Sequence, residues 1–87
     1  MNFLHYVVEA GPGNIIQVNL NGTANVRLLD PVNFAKYKLG KRYEATAGPE
    51  TTNLVKFVPP FKGKWHVVVD VEGQTGGVRA SVDVARV

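Results

Sequence analysis

The chain has no cysteine, which excludes disulfide bracing and any thiolate metal site. Its one serine, Ser81, lies inside a strand-like run with no nucleophile elbow around it. No apolar run approaches the roughly 20 residues that a membrane-spanning helix needs. The opening Met1-Asn2-Phe3-Leu4-His5-Tyr6 has no basic region, and its apolar run breaks at Glu9, unlike a signal peptide. Neither sign of charge dominates: ten Lys and Arg stand against seven Asp and Glu, a net +3. That excess favours solubility and does not by itself imply a nucleic-acid partner. These absences predict a cytoplasmic domain with no cofactor, no specific nucleic acid and no membrane contact.

What the chain does have is alternation. Trp65, Val67, Val69 and Val71 fall on one face of an extended run, and Val78, Ala80, Val82 and Val84 on one face of another. Successive side chains of a strand point to opposite faces, so this period marks half-buried antiparallel strands. Between the two runs lies the glycine-rich turn Glu72-Gly73-Gln74-Thr75-Gly76-Gly77. Similar runs cover residues 3–9, 14–20, 24–29, 42–46 and 54–58. Turns are expected at Ala10-Gly11-Pro12-Gly13, at Ala47-Gly48-Pro49-Glu50, at Pro59-Pro60 and, as a type I′ hairpin, at Asn21-Gly22. Asp30-Pro31 reads as a helix start, with Phe34, Tyr37 and Lys38 at helical spacing and Gly40 as the stop. The 87 residues therefore predict one all-β domain spanning residues 1–87. Its expected form is a compact antiparallel β-sandwich, jelly-roll-like, of about seven to eight strands with one short helical turn. A chain this short buries only roughly 60–65% of its unfolded surface, so it gains from burying more in an oligomer.

Few residues offer chemistry. His66 and Asp70 share a strand face but stand about 13–14 Å apart along it, too far for a hydrogen bond. A dyad at His66 needs a partner from another strand, His5 or Asp83. No His, Cys and Asp cluster has metal-ligand spacing. Gly11-Pro12-Gly13 and the glycines at 73–77 join strands, so neither has the helix N-terminus that a phosphate loop uses. The stretch Lys36-Tyr37-Lys38-Leu39-Gly40-Lys41-Arg42-Tyr43 interleaves cations with aromatics. Lys36, Tyr37, Lys38, Lys41, Arg42 and Tyr43 form the candidate ligand surface. Trp65 heads the most apolar face and is expected in the core.

Several strings resemble a known pattern: Asn2-Phe3-Leu4-His5-Tyr6, Ala24-Asn25-Val26-Arg27-Leu28-Leu29-Asp30, Asn33-Phe34, Tyr37-Lys38, Trp65-His66-Val67-Val68-Val69-Asp70 and Val78-Arg79-Ala80-Ser81-Val82. In order and spacing they resemble a bacterial family known as a domain of unknown function, number eighteen eighty-three in its series. The resemblance implies a compact β-sandwich. It also implies a domain that in some proteins stands alone and in others precedes a Toll/interleukin-1 receptor domain, hence a role in sensing or defence. It supplies no catalytic residues. The chain departs from the pattern after the basic stretch, where it reads Tyr43-Glu44-Ala45-Thr46-Ala47-Gly48 in place of a Tyr- and Gly-rich step. A looser likeness, through Arg27-Leu28-Leu29-Asp30 and Pro59-Pro60 to Val69, links the chain to jelly-roll ancillary domains of secreted hydrolases.

The expected function is a non-catalytic binding or self-assembly module, and the expected partner is a second copy. The candidate assembly face is His66, Val68 and Asp70 together with Arg79, Ser81 and Asp83, all expected on the wet side of the last two strands. The alternative is a small-molecule, carbohydrate or nucleotide ligand, held on Tyr37, Tyr43 or Trp65.

Overall fold

The computed structural model describes residues 3–71 and 78–87, so the turn expected at residues 72–77 lies outside the described residues. Five strands and one helix run in the order β1 (Phe3–Ala10), β2 (Asn14–Leu29), α1 (Pro31–Lys38), β3 (Ala47–Phe57), β4 (Gly63–Asp70) and β5 (Ala80–Arg86). Every pairing is antiparallel, in the order β1-β4-β2-β3, with β5 also on β2. The chain is thus mostly β, as its alternation predicts, but the described residues form five long strands rather than the expected seven to eight short ones.

The difference arises mainly at β2. Asn21-Gly22 is no hairpin turn; β2 runs through it for 16 residues. A type I′ turn needs positive φ at both central residues, and neither Asn21 nor Gly22 has it. Packing explains why. A two-residue turn there would set Val18 opposite Asn25 and Ile16 opposite Arg27, and directly opposed residues share a face. The buried set Ile16, Val18, Ala24, Val26 and Leu28 keeps one phase only if the strand continues. Residues 20–23 instead form an irregularity in the β3 pairing, between Asn19↔Leu54 and Ala24↔Thr52.

β3 is likewise longer than expected. It absorbs the Ala47-Gly48-Pro49-Glu50 turn, while residues 42–46 form no strand. Gly48 has φ +88°, and a side chain there would run into the Val26 carbonyl, so only glycine fits this approach to β2.

β2 is the shared spine. Its first half lies between β3 and β5, its second half between β3 and β4. One core cluster gathers side chains from both halves of the sheet. Trp65, Val67 and Val69 from β4 meet Ile16, Val18, Val26, Leu28 and Phe57, with Ala80 and Val82 of β5 against the same cluster. Tyr6 on β1 donates its hydroxyl to the Ala80 carbonyl at 3.3 Å, tying β1 to β5. Trp65 is fully buried, and its indole N–H donates to the Phe61 carbonyl at 3.1 Å. Truncating such a residue to alanine costs about 3–5 kcal/mol. β4 and β5 are not neighbours: each borders a different half of β2.

α1 follows its sequence signals. The Asp30 carboxylate accepts from the Asn33 N–H at 2.8 Å, Pro31 opens the first turn, and Gly40 takes φ +72°. The helix lies on the outer side of the β1-β4-β2 half-sheet. Phe34 and Tyr37 there form a second cluster with Leu29 and Val68. Val68 is therefore 0% exposed, which corrects its expected place on a wet face.

Candidate functional site

The most chemically distinct cluster sits where α1 meets β1 and β4. The register pairs His5 with Val68 and Val7 with His66, so the two histidines are diagonal neighbours on the outer face. His5 Nε2 lies 2.7 Å from His66 Nδ1, with the ring planes 5° apart. Phe34 of α1 stacks on both imidazoles, with ring centroids 4.0 Å from His5 and 4.4 Å from His66. Phe3 closes the group edge-on against His5, Phe34 and Tyr37. Of the two cross-strand partners considered for His66, His5 is the one in contact; Asp83 lies on β5, which does not adjoin β4.

The geometry fixes the protonation logic. One imidazole donates and the other accepts, so their tautomers are tied. Burial lowers the His5 pKa below its ordinary 6.5, and the Lys38 charge adds to this. Burial, then His5 and Lys64, lower His66, against an opposing pull from Asp30. Both rings are neutral at neutral pH. The pair can share one added proton, but a second would set two N–H groups against each other. Two imidazoles bonded to one another, with Lys38 and Lys64 beside them, are a poor start for a metal site, which needs three or four converging ligands.

Asp70 is not part of this group. Its carboxylate lies 3.8 Å from the Arg27 guanidinium, which also sits 5.7 Å from the centre of the Tyr37 ring.

The candidate ligand surface is changed by the fold. Lys36, Lys38, Lys41 and Arg42 are exposed. Tyr37 is only 5% exposed, and Tyr43 is half-buried with its ring edge-on to Tyr37, centroids 5.1 Å apart. Their faces are spent on each other and on the sheet, so they are not stacking platforms. A shallow hollow of about 340 Å³ lies between Asn33, Lys36, Arg42, Tyr43 and Glu44. A larger open cleft, about 740 Å³, runs between the β1–β2 turn and residues 62–64 and contains no aromatic residue.

The candidate assembly face also divides. His66, Val68 and Asp70 belong to the half-sheet under α1, where one pairs with His5, one is buried and one faces Arg27. Ser81 and Asp83 are exposed on β5, on the other half-sheet, and the Arg79 N–H donates to the Asn21 side chain at 2.8 Å. These six residues do not make one surface. The burial of Val68 was readable from Val67-Val68-Val69, because consecutive apolar residues mark a strand covered on both faces. The Phe34 stack had no such signal, since nothing in the helical spacing says which sheet residues the ring will meet.

The strings quoted above span strands, helix and both histidines, and a family comparison matches the same extent. The profile of the domain of unknown function DUF1883 covers residues 1–87. The chain belongs to this family. No curated protein and no solved structure matches it. Membership in DUF1883 carries no reaction, so the chemistry rests on the residues described here.

Proposed function

We propose that this DUF1883 domain is a non-catalytic module that assembles with a second copy through the free edge of β5. The observation that carries this is the backbone direction along β5. Val87 N–H donates to the Gly13 carbonyl at 2.9 Å, and Asn21 N–H to the Arg79 carbonyl at 3.1 Å. Odd-numbered residues of β5 therefore face β2, and even-numbered ones turn their N–H and C=O the other way. Tyr6 takes the Ala80 carbonyl. Val82, Val84 and Arg86 stand at an edge with no ladder partner among the described residues. The Val84 side chain is on the inner side, opposite Ile16, yet 42% exposed. Two β5 strands paired antiparallel about Val84 cover both valines and complete both edges.

The β5 edge is open to such pairing. It has no proline, and its register with β2 is unbroken from Arg86 to Ala80. β3, by contrast, carries Pro49 and two register shifts. Assembly also suits a role in sensing or defence, since the family resemblance implies that the domain precedes an effector domain in some proteins and stands alone in others. The carbohydrate or nucleotide reading loses its platforms, because Trp65 and Tyr37 are buried.

Sedimentation velocity across a concentration series tests this. Wild type is expected to form dimers at micromolar concentration or above. Val84→Pro removes an N–H that the β2 ladder does not use, so this variant should stay folded by circular dichroism and sediment as a monomer. A wild-type protein that remains monomeric throughout the series overturns the proposal.

A further inference from the structure

We infer that the outward face of α1 docks on a bilayer surface rich in anionic lipid. Phe34 and Tyr37 tie the helix to the sheet, so Val32, Ala35, Lys36 and Leu39, on the opposite side at helical spacing, point away from the protein. Val32 is 64% exposed and Leu39 67%. Lys36 shares this side of the helix, and Lys38, Lys41 and Arg42 follow it closely in sequence; all four are exposed.

The charge is local. No acidic residue occurs between Asp30 and Glu44. Setting aside these four cations leaves six others against seven acids, so the chain's whole positive excess lies on this segment. Lys36 and Lys38 occupy the last turn of the helix, and the Lys38 ammonium stands 5.7 Å from the Phe34 ring centre. Lys36 and Arg42 flank the hollow beside Tyr43, whose only acid is Glu44.

Exposed apolar residues on a cation-rich helix are the pattern of an interfacial helix. The cations meet lipid headgroups, and the apolar side chains reach the acyl boundary. A nucleic acid shares the anionic chemistry but leaves Val32 and Leu39 without a role, and it finds no exposed aromatic face here. No helix among the described residues is long and apolar enough to cross a membrane, so α1 lies on the surface. This surface extends the basic candidate site and is separate from the β5 edge.

Vesicle co-sedimentation decides it, with phosphatidylcholine vesicles against vesicles carrying roughly 30% phosphatidylserine. Wild type is expected to bind the anionic vesicles about tenfold or more tightly than the neutral ones, and to release near 0.5 M salt, where the Debye length falls to about 4 Å. Val32→Ser with Leu39→Ser keeps the charge and should weaken binding at least about fivefold; Lys36→Gln with Lys41→Gln should weaken binding to the anionic vesicles about tenfold or more. All four positions are exposed, so both variants should melt like wild type. No binding, equal binding to both vesicles, or binding unchanged in the serine variant overturns the inference. Tighter binding to a single-stranded oligonucleotide than to anionic vesicles also overturns it and assigns the surface to nucleic acid.

Discussion

At the scale of single residues, the same valine chemistry has opposite meanings at Val7 and Val68. Both lie on outer-face positions of the β1-β4-β2 half-sheet, but α1 covers only the second. Val7 is about half exposed, whereas Val68 touches Leu29, Phe34 and Tyr37 with no exposure at all. A lysine at Val68 puts an unpaired charge beneath the helix, and its expected cost is about 3 kcal/mol or more. A lysine at Val7 can reach solvent and should cost less than about 0.5 kcal/mol. Chemical denaturation of the two variants checks the contrast, and equal stabilities contradict the placement of α1. The histidines give a second residue-scale outcome. Their pKa values are lowered in the folded state, so the unfolded chain binds more protons below pH 6.5. Stability therefore has its full His contribution above 6.5 and loses it as pH falls toward the folded values. Denaturation at several pH values should show this fall, and His66→Gln should flatten the part of it just below 6.5, before the carboxylates titrate. Ring NMR signals of His5 and His66 titrating at or above 6.5 would contradict this pH dependence.

Among the elements, α1 and β4 were the most legible and β2 the least. Asp30, Pro31 and Gly40 marked the helix because capping is a local property, settled within one turn. Trp65, Val67 and Val69 marked the inner face of β4 because a strand's period survives whatever it pairs with. β2 failed because Asn21-Gly22 is a strong local hairpin signal, yet the competing constraint is long-range. Ile16 and Val18 must share a face with Val26 and Leu28, and a two-residue turn breaks that phase. The parity was in the sequence, and it outweighs the turn preference because several buried side chains depend on it. Partnership between strands was less legible still. β4 and β5 follow one another in the chain but border different halves of β2, a choice fixed by how β2 spans both half-sheets. The site inherited the same limit. Both histidines could be placed on outer faces, but their 2.7 Å contact depends on the β1–β4 register and on Phe34 arriving from α1.

For the whole molecule, one spine serving two half-sheets makes a definite map of backbone protection. Ile16 and Val18 lie between β3 and β5, and Val26 and Leu28 between β3 and β4, so this strand is paired on both sides along most of its length. Its amides in those segments should be the slowest to exchange, opening only with global unfolding. Among the described residues β5 is paired on one side, and its amides should alternate. Ser81, Asp83 and Ala85 point their N–H groups at β2, while Val82, Val84 and Arg86 point theirs outward. At low concentration the second set should exchange fast and the first slowly. If β5 is the assembly edge, raising the concentration slows Val82, Val84 and Arg86 together and leaves Ser81, Asp83 and Ala85 nearly unchanged. An oligomer formed through any other surface cannot reproduce this alternation, because burial of a face protects neighbouring amides without regard to odd and even positions. Exchange measured residue by residue at two concentrations therefore separates edge pairing from every other mode of association. Uniform protection along β5, or none, would show that the free edge is not where two copies meet.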